Sequence, residues 1–232
     1  MQRDHALDVL RGIMLVIMAV DHFGEPIEPY TWQFLGFVTA AEGFVFLSGM
    51  LVGIVYSRYL TQPKAILNQH IWDRARVIYV YHLITLFGVF LFTTLSVWSG
   101  AAWESYATEM IHQPWLSLLL GVILLYLPPM LDILPIYILF MLLTPYILRG
   151  LHSRYVYLIL LTSFLVWLLA QFDIHKLLLF SPLLDAMRLG AFDPFGWQLI
   201  FVLGMYLGYR RFQRGGRPTT LSWSLLAIAS AM

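Results

Sequence analysis

Arg11 and His22 stand ten residues apart in a run, Gly12 to Val20, that is otherwise apolar. Eleven steps of about 100° make close to three helical turns, so both side chains share one face, roughly 16 Å apart along the axis. A permanent cation and a histidine so placed suit acyl transfer. The guanidinium can hold an anionic group, and the imidazole can take a proton near neutral pH. Asp8 lies one turn before Arg11 and can pair with it. Charges inside a membrane helix are costly and turn toward a cavity or a partner. The spacing equally fits a plainer arrangement. Arg3, Asp4 and Asp8 would then mark one membrane rim, and Asp21 with His22 the other.

Further polar residues interrupt apolar stretches. Glu42 lies about ten residues inside the stretch from Trp32 to Tyr56. An unpaired carboxylate there would be protonated or would seek a cation. That points to a role in or beside the site. Small residues at Ala40, Ala41, Gly43, Ser48, Gly49 and Gly53 permit close helix contact, and the Gly49–Gly53 spacing reads as packing. Arg58, Arg74 and Arg76 are either a cytoplasmic charge signal or an anion site for nucleotide phosphate. His82 reads as a hydrogen-bonded packing residue. Asp132 follows Pro128-Pro129, as a cavity group or as the cap of the next helix. Asp193-Pro194 has the form of a helix start, while Trp197 and Gln198 could contact a sugar.

The elements that must position these residues are membrane helices. The chain is 60% hydrophobic and 12% charged, with mean hydropathy +0.76. Apolar runs of about 20 residues recur, the length a helix needs to cross the hydrocarbon core. The alternating pattern of a membrane barrel is missing. A net charge of +1 and no cysteine leave no nucleic-acid partner, disulfide framework or thiolate metal site to expect. No metal ligand set is assigned. The start reads as a retained helix and not a cleaved leader, because Asp8 and Arg11 interrupt it. The expected spans are 7–23, 32–56, 77–97, 133–148, 155–172 and 195–209. A shorter stretch runs over 115–127. A last helix begins near Leu221 and stops at Met232, so the chain is expected to be one integral membrane domain, 1–232, truncated at its C-terminus.

The 115–127 stretch decides the topology. If it spans, eight of the 14 basic residues fall inside. If it is re-entrant or interfacial, the later segments flip, and only Lys176 and Arg188 stay outside. The positive-inside rule favours the second arrangement, and about 13 apolar residues are too few for an easy crossing. The fold expected is therefore all-α: a polytopic transmembrane helix bundle with a re-entrant or interfacial segment. Its N-terminus is cytoplasmic.

Arg11 and His22 together resemble the arginine–histidine motif of type 3 membrane acyltransferases. The wider text resembles one branch, the OpgC family. Its opening is matched by Arg3-Asp4, by Leu7 to Gly12, and by Asp21-His22. Ala40 to Gly49 with Gly53, Tyr56 and Arg58 is similar too, as are Leu131 to Tyr137, Pro194, Trp197-Gln198 and Phe201 to Gly204. The resemblance implies an acyltransferase-3-like protein of the bacterial inner membrane that succinylates osmoregulated periplasmic glucans. Its co-substrate would be an acyl-coenzyme A, succinyl or acetyl, with no permanently bound cofactor. Its partners would be the lipid bilayer and the glucan.

On that basis His22 is the expected general base or acyl carrier, with Asp21 or Glu42 orienting its ring. Arg11 contacts the donor, assisted by Arg58, Arg74 or Arg76. Asp132, Trp197, Gln198 and Asp8 are acceptor or support residues. Two other classes use the same residues. A transporter would employ Arg11, His22 and Glu42 as a substrate or proton path. A non-catalytic partner of a glucan-processing system would need none of them to react.

Overall fold

The computed structural model describes residues 5–21, 39–95, 108, 110–126, 131–172 and 193–215. Within them the chain is helical, with no strand. The helices are α1 (His5–Asp21), α2 (Ala40–Tyr56, continued by a 3-10 turn Ser57–Tyr59), α3 (Lys64–Leu95), α4 (Pro114–Val122), α5 (Ile133–His152), α6 (Val156–Gln171) and α7 (Pro194–Gln213). Three stretches are long and apolar enough to cross a membrane: Ala40–Tyr59, Lys64–Leu95 and Ile133–His152. Large apolar side chains such as Val80, Ile84, Phe87 and Leu91 face outward on α3, as helices immersed in lipid require. The expected all-α membrane bundle is therefore what forms. Residues 22–38, 127–130, 173–192 and 216–232 lie outside the described residues, and with them His22, Pro128-Pro129 and the expected last helix.

One expectation is corrected. The stretch from Arg58 to Arg76 was read as a connection and the third span as starting at Val77. Instead α3 starts at Lys64 and runs for 32 residues, about 48 Å against a hydrocarbon core of about 30 Å. Hydropathy locates apolar length, whereas helicity depends on backbone bonds. No proline or glycine interrupts the chain between Pro63 and Gly88, so the helix continues through its polar first turns. Its buried stripe, Leu67, Ile71, Ala75, Ile78, His82, Leu86 and Phe90, recurs every three or four residues.

The residues group into two compact units. The first comprises residues 1–67, 146–163 and 199–232; the second comprises residues 68–145 and 164–198. In the first unit α1 packs on α2, and α2 packs on α7 through glycines. Added Cβ atoms at Gly49 and Gly53 would collide with the backbones of Phe201 and Met205. Those at Gly204 and Gly208 would collide with the backbones of Phe46 and Met50. The two backbones therefore touch. This is the packing role read from Gly49–Gly53, completed by a second pair of the same spacing on α7.

In the second unit α4 packs on α3 around Leu86, Phe90, Met110, Leu120 and Tyr126. At nine residues, about 13 Å, α4 is too short to span. Its end must satisfy its own carbonyls, because lipid cannot. Leu125 N donates to Leu120 O at 2.8 Å and Leu124 N to Gly121 O at 3.1 Å. This is the Schellman pattern, with Leu124 at φ 63° where glycine is usual. From α3, Tyr79 Oη donates to Val122 O at 2.9 Å, and His82 Nε2 lies 3.0 Å from Gly121 O. His82 is thus the hydrogen-bonded packing residue expected. Gly121 is also a packing position, since a Cβ there would press on Leu86.

Candidate functional site

Arg11 rises from the second turn of α1 and lies against α2. Its guanidinium carbon is 5.1 Å from the centroid of the Phe44 ring, a cation–π contact of about 0.5–2 kcal/mol. Met14, nearly one turn further along α1, approaches Gly43; a Cβ there would lie 3.2 Å from Met14 Sδ. The small residue therefore lets α1 come close and carries Arg11 to the ring. Arg11 Nε is buried with no hydrogen-bond partner among the described residues. A buried donor of this kind is costly unless something else uses it.

Asp21 is the last residue of α1. A carboxylate there faces the negative end of the helix dipole, a mildly unfavourable place. Its Oδ1 is buried and also lacks a hydrogen-bond partner. His22, the next residue, is outside the described residues.

Glu42 sits at the capped start of α2. Helix α2 starts at Ala40, so Glu42 occupies its third position and not its tenth. Its Oε2 accepts from Thr39 N at 2.5 Å and from Thr39 Oγ1 at 2.7 Å. The first of these bonds, with the Thr39 side chain facing the Glu42 backbone N–H, closes a capping box, which satisfies backbone donors at the helix start. Asp21, by contrast, has a buried carboxylate oxygen without a hydrogen-bond partner among the described residues. Glu42→Gln should keep the cap and lower any transfer activity less than fivefold. Asp21→Asn should lower it more than tenfold. Side-by-side turnover of the two variants checks this, and a larger loss in Glu42→Gln would return the orienting role to Glu42.

Ser48 was read only as a small packing residue. It is fully buried, and its Oγ has no hydrogen-bond partner among the described residues. It lies one turn beyond Phe44 on α2. Its type and position gave no signal in the sequence, because serine in a glycine-rich helix looks like packing.

Of the donor-side arginines, Arg58 lies away from Arg11's seat. About 18 Å of helix separates Phe44 from Tyr56, and Arg58 lies beyond that, exposed over the Tyr59 ring at 4.8 Å. Arg74 and Arg76 belong to the second unit. Both are exposed, and Arg76 pairs with Asp73 at 2.9 Å. Asp8 is half-buried on α1. Asp132 is buried and its carbonyl accepts from Ile136 N at 3.4 Å, the position of a helix cap. Asp193 Oδ1 accepts from Phe195 N at 2.9 Å, the expected start of α7. Gln198 Nε2 donates to Phe195 O at 3.3 Å, and Trp197 is half-buried on the same turn. No cluster of metal-binding side chains occurs among the described residues.

Neither the curated proteins nor the solved structures contain a match to the chain. A family described as "OpgC protein" matches residues 3–232. That range takes in α1 with Arg11 and Asp21, the capped start of α2, and the glycine seam between α2 and α7. The chain belongs to the OpgC family, and that membership supports a role in the modification of periplasmic glucans.

Proposed function

We propose that this chain is an O-acyltransferase of the bacterial inner membrane, with a cytoplasmic N-terminus. It moves an acyl group, succinyl in the first instance, from a cytoplasmic acyl-coenzyme A to a hydroxyl of a periplasmic glucan. Family membership over residues 3–232 is the observation that carries this reading. The seat of Arg11 supports it: a cation held inside helix packing with donor capacity unused.

In the proposed reaction His22 removes the proton from the glucan hydroxyl as its oxygen attacks the thioester carbonyl. The carbon–sulfur bond then breaks, an ester forms, and the departing thiolate takes the proton from His22. Asp21 fixes the imidazole, by analogy with the carboxylate that orients a catalytic histidine elsewhere. Arg11 contacts the donor within the bundle. Arg58, Arg74 and Arg76 would act on the donor only at its cytoplasmic end, because Arg58 lies the length of α2 away from Arg11's seat. Asp132, Trp197 and Gln198 remain proposed acceptor-side or supporting groups, as does Asp8 beside Arg11.

Membranes carrying the chain, given isotopically labelled succinyl-coenzyme A and periplasmic glucan, should yield glucan bearing labelled succinyl esters by mass spectrometry. Unmodified glucan in the presence of correctly inserted protein and intact donor would overturn the proposal. Labelled acetyl-coenzyme A in a parallel reaction identifies the acyl group.

A further inference from the structure

The first unit contains a second polar feature, far along the helices from Arg11's seat. Five arginines, Arg149, Arg154, Arg210, Arg211 and Arg214, fall in its segments 146–163 and 199–215, and those segments contain no aspartate or glutamate. Part of this has a plain cause. Arg149 and His152 lie in the last turn of α5, and Arg210 and Arg211 in the last turn of α7, where cations offset the helix dipole. Positive-inside charge accounts for them as well. Neither cause explains what lies between them.

A cleft of about 220 Å³ opens there, lined by His152, Ser153, Tyr157, Tyr206, Tyr209 and Arg210, among others. Tyr209 is 5% exposed. Its hydroxyl accepts from Gln213 Nε2 at 2.5 Å and lies 3.0 Å from His152 Nδ1. The His152 and Tyr209 rings also meet edge to face, with centroids 6.0 Å apart. A buried hydroxyl thus ties together groups from the ends of two helices. Arg149 Nη2 donates to Lys64 O at 2.9 Å, which anchors the end of α5 to the start of α3. Ser153 Oγ is spent on Gly150 O at 2.8 Å, so the lining's donors are the Tyr157 and Tyr206 hydroxyls, the Gln213 amide, the His152 imidazole and the Arg210 guanidinium, with no carboxylate.

We propose that this cleft binds a phosphate group presented at the membrane surface. Convergent neutral donors around one arginine, in a region without acid, match the many acceptor lone pairs of a phosphate. Two sources share that chemistry: the nucleotide of a soluble phosphorylated ligand and the head group of an anionic phospholipid. The inference does not depend on acyl transfer or on His22.

The test uses the full chain in phosphatidylcholine nanodiscs. One arm titrates adenosine 3′,5′-bisphosphate and follows binding by calorimetry. The other exchanges the chain into nanodiscs containing phosphatidylglycerol and counts retained lipid by native mass spectrometry. Saturable binding in one arm is expected and identifies the source. Arg210→Gln should weaken it at least about tenfold, as loss of a charge-assisted bond does. Tyr209→Phe leaves the charge unchanged and should weaken it several-fold by releasing His152 and Gln213. Gln213→Leu, at an exposed position, supplies the same comparison if Tyr209→Phe fails to fold. Binding in neither arm would overturn the proposal. So would binding that falls with charge but is untouched by both neutral variants, since that is surface attraction and not a built site.

Discussion

His22→Ala is expected to remove acyl transfer to glucan, lowering turnover by at least about 10²-fold while leaving the protein folded. The magnitude follows from the step assigned to it. A sugar hydroxyl is a weak nucleophile, and its proton must leave as the carbon–oxygen bond forms; general-base assistance contributes about 10²–10⁴-fold to such steps. Folding should survive, because α1 is held to α2 by Met14 at Gly43 and Arg11 at Phe44, well before the helix end. The measurement is labelled succinyl transfer by a purified variant whose elution and melting match the parent. Full transfer by that variant would exclude His22 both as base and as acyl carrier. An Arg11→Ala variant completes the comparison. It should raise the donor KM more than it lowers kcat, since Arg11 is assigned to donor contact and not to proton transfer.

The second large effect concerns stability. Gly53→Ala or Gly208→Ala should destabilise the chain by about 1–3 kcal/mol, because the added methyl meets backbone of the facing helix. A clash with a flexible side-chain end could relax; a clash with the Met205 or Met50 carbonyl cannot without moving a helix. In lipid this matters more than in water. Helices gain no hydrophobic advantage from meeting, so backbone contact and its weak Cα–H···O interactions must hold α2 to α7. The double variant should cost less than the sum, since both methyls separate the same crossing. Gly88→Ala is the control. Nothing lies within 4 Å of its would-be Cβ, so removing an exposed glycine from α3 should leave stability unchanged or raise it by about 0.5–1 kcal/mol. Unfolding in mixed detergent micelles measures all four. Gly53→Ala and Gly88→Ala behaving alike would show that the seam does not hold the helices.

The glycine seam links stability to the site. Arg11 is placed by α1, α1 is placed by α2, and α2 is placed by α7. Loss of the seam should therefore lower activity even though no glycine approaches the proposed chemistry.

The amino-acid sequence by itself determined the helical membrane character, the packing role of Gly49–Gly53 and the start of α7 at Asp193-Pro194. These are local properties. Apolar length, helical period and capping are written in neighbouring residues. The tertiary structure decided the rest. Glu42 had the composition of a buried site carboxylate, but where α2 begins made it a cap, and hydropathy does not mark a helix start. Lys64 to Arg76 had the composition of a loop, yet backbone bonding made it the first turns of α3. Tyr79 and His82 meet the end of α4 about forty residues away in the chain, and His152 meets Tyr209 across 57. Pairings at such separation are chosen by which helices pack together and at what height. That choice seated Arg11 against the Phe44 ring of α2. It left Arg58 about the length of α2 away from that seat.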